Sequence, residues 1–292
     1  MALTQTIEKF KNYISLLDEV YKNASTSSVL DGDTSLVSAG ANANEIVIPK
    51  MQLQGLADYS RNSGYVARNV KLTNETVQFN YDRGGKFSVD NMDDEETAGV
   101  AFGKLSSEFM RTQVVPEVDA FRYATYAGTS GISTTSGATL DTGDKVLAAL
   151  LAAQNTMDED EVGTDTRILF ITPTLYNLAM SVDSYKSKAV MDSFAQIVKV
   201  PQSRFYTAID MADGTTESEE DGGYAKADGA KDINFMIIDK SAVIQYPKHK
   251  VDKIFTPEEN QSADAWQFCY REYGIADVYE NKVAGIYLHK KA

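Results

Sequence analysis

Apolar residues Leu3, Ile7, Phe10, Ile14, Leu17 and Tyr21 recur at steps of four and three, with charge on the opposite side. That spacing predicts an amphipathic helix. Asn23 to Asn44 then holds small and polar residues with no sustained period, which predicts an extended arm without a core of its own. The helix either folds back on its own domain or packs on a neighbouring copy. Glu45 to Leu53 puts Ile46 and Ile48 on one side of a strand. Val70 to Asp90 alternates around Val77, Phe79 and Tyr81, and Gly84-Gly85 predicts a turn into Lys86–Asp90. The block reads as a long two-stranded excursion too poor in apolar groups to form a separate domain, and a lone hairpin is marginal in water.

A long helix follows. Asp93, Asp94, Glu95 and Glu96 suit its N-terminus, where negative charge is favoured. Ala98, Ala101, Phe102, Leu105, Phe109 and Thr112 form one face, and the pattern resumes after Pro116 with Val118, Phe121, Arg122 and Thr125. The span of roughly 35 residues reaches about 50 Å at the helical rise. Pro116 is expected to kink or split it. Helix and strand then alternate. Asp141 or Thr142 caps a helix through Met157, and Arg167–Pro173 is a buried strand whose Pro173 opens another helix. Lys188–Val200 reads as mostly helical, Arg204–Ile209 as a strand, and Met211–Asp232 as an acidic loop. Ile233–Pro247 predicts two strands, the aromatic-rich Ala265–Tyr279 one more, and Glu280–His289 a last strand after a turn at Glu280-Asn281.

Charge narrows the functional classes. The 292 residues include 28 basic and 42 acidic ones, a net charge of -14. Gripping nucleic acid requires clustered Lys and Arg, so such binding is disfavoured. Against that background, residues 50–86 are locally basic. Lys50, Arg61, Arg68, Lys71, Arg83 and Lys86 outnumber Asp58, Glu75 and Asp82. Either the excursion docks on an acidic neighbour, or it is a solvated loop with incidental charge. A single cysteine, Cys269, forbids an intrachain disulfide and suits a reducing cytoplasm; its strand pattern predicts a buried small hydrophobe. No apolar run is long enough to span a membrane, and charges interrupt residues 1–21 where a signal peptide would be apolar.

No catalytic constellation emerges. His249 and His289 lack the companions of a metal site and read as surface or interface polar residues. Asp158, Asp160, Gly163 and Asp165 approximate a calcium loop, but Val162 and Leu169 stand where oxygen ligands belong. Phosphate-loop and G-x-S-x-G patterns are absent. The expectation is a non-enzyme without cofactor or metal.

The order of parts, with the strings TPEENQSADAWQFCYREYGIADVYENKVAGIYLH and EFMRTQVVPEVDAFRYATYA, resembles the major capsid proteins of tailed bacteriophages. The resemblance covers nearly the whole chain. It implies the α+β, Hong Kong phage-like capsid fold, with an N-terminal arm at 1–44, an E-loop at 45–90 and a P-domain spine helix at 91–137. An A-domain at 138–246 and P-domain C-terminal strands, expected as a hairpin, at 247–292 complete it. It implies a subunit that assembles as pentamers and hexamers into an icosahedral head around double-stranded DNA, held without sequence-specific binding. Portal and scaffolding protein would be partners; the arm begins at once, so the scaffold is expected to be a separate chain. The protein would sit in the virion, and in the host cytoplasm during assembly. Inter-subunit contacts are expected from Ile7, Phe10, Ile14 and Leu17 of the arm and from Arg61, Arg68, Lys71 and Arg83 of the E-loop. Glu219, Glu220 and Asp221 would face a symmetry axis. An encapsulin-like compartment shell has a similar fold and is the alternative; a soluble α/β enzyme is the remaining one.

Overall fold

The computed structural model describes residues 25–32, 45–92, 106–137, 139–182 and 184–291. The predicted N-terminal helix with Ile7, Phe10, Ile14 and Leu17, and the first half of the long helix, lie outside them. In chain order the strands begin with β1 (Glu45–Leu53), β2 (Val70–Gln78) and β3 (Tyr81–Asp90), followed by helix α1 (Val115–Gly128) and β4 (Ser133–Ser136). Next come α2 (Gly143–Glu159), β5 (Arg167–Ile171), α3 (Pro173–Met180), α4 (Ser184–Met191) and β6 (Gln196–Lys199). The chain ends with β7 (Ile209–Met211), β8 (Tyr224–Lys226), β9 (Ile233–Asp239), β10 (Val243–Phe255), β11 (Ala265–Val278) and β12 (Ile286–Lys290).

A five-stranded mixed sheet, ordered β4-β12-β9-β5-β6, is covered on both faces. Ile168, Phe170, Met236, Ile238, Ile286 and Leu288 point to one side, where Tyr123 and Tyr126 of α1 and Phe205 meet them. Leu169, Ile171, Phe235, Ile237 and Tyr287 point to the other, against Val146, Leu150, Ala153 and Met157 of α2 and Leu175 of α3. This explains why RILFI and INFMII are continuous apolar runs: a strand buried on both faces has no polar side to alternate with. Thr142 caps α2, its hydroxyl accepting the Lys145 N–H at 3.4 Å. A second sheet, β10-β11-β3, packs Tyr81, Phe268 and Tyr270 on Met110, Val114, Val115 and Val118 of the spine.

The spine is not split at Pro116. Residues 106–109 are helical, Met110–Val114 form a π turn, and α1 continues directly to Gly128. Pro116 lies in the first turn of α1. Its ring would crowd the Thr112 carbonyl in a regular helix, and it has no N–H to offer. The wider π turn just before it gives the ring room without ending the helix.

Four local expectations are corrected. Gly84-Gly85 is not a turn; the chain reverses at Phe79-Asn80, and both glycines lie inside β3. A Cβ on Gly84 would come within 2.6 Å of the Tyr270 carbonyl oxygen, and one on Gly85 within 3.2 Å of the Phe109 ring. Gln196–Lys199 is an edge strand parallel to β5, not the end of a helix. Arg204–Ile209 is mostly irregular: Gln202–Arg204 is a 3-10 turn and only Ile209 begins a strand. The last strand forms no hairpin with β11. A 3-10 stretch, Glu280–Gly285, carries the chain across to the other sheet, where β12 pairs with β9 and β4.

Candidate functional site

β1 and β2 form an antiparallel ribbon that, among the described residues, pairs with no third strand. Its root is held by the body: Ile46 and Val77 join Ile244, Tyr246 and Ile275 in a small core. Lys50 forms an ion pair with Glu280, and the Glu280 N–H donates to Glu75 Oε1 at 3.4 Å. Beyond that rung the ribbon is bare. Met51, Leu53, Leu56, Tyr59, Tyr65, Val66, Val70 and Leu72 are all more than half exposed. Exposed apolar surface on this scale makes the tip a candidate interaction site. The tip has local bracing: Arg68 donates to the Leu56 carbonyl at 2.7 Å, Asn69 N–H to Gln54 Oε1 at 3.1 Å, and the Tyr59 and Tyr65 rings meet edge to face at 4.9 Å. Arg61, Arg68 and Lys71 are exposed on this excursion.

Arg83 is placed differently. It lies in β3, and its guanidinium binds Glu117 of the spine at 2.7 Å while donating to the Ala212 and Gly223 carbonyls at 2.7 and 3.3 Å. The Glu117 carboxylate beside it raises the Arg83 pKa. Arg83 therefore ties the neck of the β7–β8 hairpin to the spine. That hairpin forms the ends of the predicted acidic loop. Residues 213–221 at its tip are all exposed, Glu219, Glu220 and Asp221 among them. The tip is braced internally: Asp213 accepts from the Thr215 and Thr216 N–H groups, both at 2.7 Å, and from the Thr216 hydroxyl. These bonds hold its carboxyl far below the usual range. The Asp213 N–H in turn donates to Glu219 Oε2 at 3.1 Å.

The arm meets the body at a site that periodicity did not indicate. Residues 25–32 are docked, with Ser27 and Leu30 fully buried. Asp119 of α1, fully buried, accepts from the Ser25, Thr26 and Ser27 hydroxyls at 2.8, 2.8 and 2.6 Å, and from the Thr26 and Ser27 N–H groups at 2.9 and 3.1 Å. Arg204 reaches the same carboxylate at 3.2 Å. Arg122 donates to Ser27 Oγ at 2.9 Å, and Gln245 Nε2 to the Ser27 carbonyl and Asp31 at 2.8 and 2.7 Å. The signal lay in VVPEVDAFRYATY, where Asp119 and Arg122 interrupt an apolar helix face; a buried charge demands partners.

The remaining candidates assemble no reactive site. His249 is exposed on β10. His289, expected as a surface or interface residue, is buried within the chain, stacked on Phe235 at 4.8 Å with Asn234 Nδ2 3.1 Å from its Nδ1. Burial lowers its pKa. Cys269 is half-buried rather than buried, because it lies between the inward Phe268 and Tyr270 on the outer side of β11. Among the described residues no group of three or more His, Cys, Asp or Glu is placed to hold a metal ion, and no helix is long and apolar enough to cross a membrane.

No protein-family model matches the sequence, and no curated protein does. Solved structures do match the fold. A structure from Gordonia phage Cozz superposes with a TM-score of 0.59 at 15% identity, covering 92% of this chain and 87% of that one. The capsid of cyanophage P-SCSP1u gives 0.56 at 13% identity, over 87% and 85%. A virus-like particle from Pyrococcus furiosus gives 0.57 at 11% identity, over 94% and 96%. With its two sheets on a shared spine helix and a projecting ribbon, the chain has the α+β, Hong Kong phage-like fold of tailed-bacteriophage major capsid proteins.

Proposed function

We propose that this chain is the major capsid protein of a tailed bacteriophage, a shell subunit and not an enzyme. The observation that carries the reading is the β1–β2 ribbon, a projection with no core of its own beyond its root, on a fold shared with capsid subunits. Such a segment gains order when copies cover it, and closed rings of identical subunits supply that cover. In this reading the subunits form pentamers and hexamers of an icosahedral head. Scaffolding protein and portal join during assembly in the host cytoplasm, and the acidic interior encloses double-stranded DNA without gripping it. The arm, through Ile7, Phe10, Ile14 and Leu17, and the E-loop, through Arg61, Arg68 and Lys71, contact neighbours. Arg83 serves the subunit's own frame. Glu219, Glu220 and Asp221 approach a symmetry axis.

Sedimentation and negative-stain microscopy of the purified chain, alone and with scaffold, test this. Megadalton shells or ring-shaped capsomers are expected. A monomer that stays monomeric at high concentration under both conditions overturns the proposal. The similarity to the Pyrococcus furiosus particle favours a second reading, a compartment shell with protein cargo. Particle contents separate the two: nucleic acid supports a phage head, a co-purifying enzyme a compartment.

A further inference from the structure

The β10-β11-β3 sheet has a covered face and an open one. Phe268 and Tyr270 of β11 point inward onto the spine, so Cys269, Arg271 and Tyr273 point outward. Directly opposed residues share a face. Cys269 therefore lies between Lys253 of β10 and Lys86 of β3, and Tyr273 lies between His249 and Asp82. Lys86, Lys253, Arg271, His249 and Asp82 are all exposed. Three cations thus face outward against one carboxylate, in a chain with 28 basic and 42 acidic residues. Asp82 is taken by Arg271, whose guanidinium donates to both of its oxygens at 2.9 and 2.7 Å. Lys86 and Lys253 have no hydrogen bond, ion pair or ring contact among the described residues. Adjacent strands lie about 4.8 Å apart, so the two lysines flank Cys269 from roots about 10 Å apart. β3 and β10 are the edge strands of this sheet, and charge on an edge deters strand pairing. That role calls for charge on an edge, not for two unpaired lysines on one rung facing the same way.

We infer that the outer face of this sheet seats an acidic segment of a different protein, with carboxylates of the partner between Lys86 and Lys253, above Cys269. Two unpaired lysines in an acidic chain draw a carboxylate-rich segment by local complementarity. Nucleic acid fits less well. Neutralising two phosphates adds little binding, and a net charge of -14 repels a polyanion from a distance. A second copy of this chain also fits less well, because its exposed acidic tip is folded on itself. There Asp213 accepts from the Thr215 and Thr216 N–H groups, and Glu219 accepts from the Asp213 N–H.

The test uses the full-length chain and a fluorescent oligoglutamate peptide. It reads peptide anisotropy and the alkylation rate of Cys269, the only cysteine. The peptide should bind and slow the alkylation. Lys86→Glu/Lys253→Glu should weaken binding about tenfold, the scale of two surface ion pairs lost and reversed, and should remove the protection. Lys86→Gln/Lys253→Gln, the milder change, should weaken binding in the same direction. Lys186→Glu/Lys188→Glu on α4 makes the same change in net charge and should leave both readouts as in wild type. Circular dichroism confirms that the variants fold. Absent binding, binding indifferent to Lys86 and Lys253, or Cys269 left unprotected overturns the inference. A short DNA duplex that protects Cys269 better than the peptide overturns it in favour of nucleic acid. Protection that develops when the chain alone is concentrated or assembled overturns it in favour of a contact between copies.

Discussion

Asp119 shows what one residue can organise. A carboxylate removed from water needs several donors to offset its lost hydration, and Asp119 obtains five from Ser25, Thr26 and Ser27 and one from Arg204. The arm's root is thereby fixed to the spine. Asp119→Ala is expected to cost about 3–5 kcal/mol, the range for removing one partner of a buried charged pair, as read by urea denaturation. It should also expose residues 25–32 to proteolysis. His289 gives a pH effect. Its folded-state pKa lies below the ordinary 6.5 because burial disfavours the charged ring. The unfolded chain therefore takes up the proton first, and stability contributed by this group falls as pH drops below 6.5. His289→Gln should flatten that part of the stability–pH profile relative to wild type.

At the scale of elements, β3 runs unbroken through two glycines because the neighbouring strand and the spine sit too close for side chains. Gly84→Ala is expected to destabilise by about 1–3 kcal/mol, as overpacking does, and to increase amide exchange along β3 and β11. The Arg83–Glu117 pair links three elements: β3, α1 and the β7–β8 hairpin. Glu117→Gln should leave the global unfolding midpoint nearly unchanged while raising exchange at 209–226, since the carbonyls that Arg83 holds lie at that hairpin's neck. Uniform exchange across the molecule would show that the pair does not secure the hairpin selectively.

For the whole molecule, charge sets how copies approach one another. A chain of -14 repels its own kind, and the exposed acidic tips would add to that at the symmetry axis proposed for them. Salt screens exposed charges over about 10 Å at 0.1 M. Assembly is therefore expected to speed up with ionic strength. Glu219→Gln/Glu220→Gln/Asp221→Asn should assemble faster at low salt and show a shallower salt dependence, as followed by light scattering. Identical salt profiles for variant and wild type would remove the acidic tip from the axis.

Much of this architecture could be read from residue order. Continuous apolar runs announced the buried strands β5 and β9, a cap at Asp141 or Thr142 announced α2, and the alternation in Glu45–Leu53 and Val70–Asp90 announced the strands of the excursion, whose tip carries more large apolar groups than a coreless loop was expected to hold. These are local signals, since each depends on how a segment divides its own surface between water and core. Tertiary structure alone decided the rest. Whether Gly84-Gly85 turns or runs straight depends on how near Tyr270 and Phe109 approach. Whether β12 returns to β11 or crosses to β9 depends on which sheet edge is open. Arg83, Asp119 and His289 look alike as polar residues in a sequence, and only the groups brought beside them from distant positions separate a tether, an anchor and a buried ring.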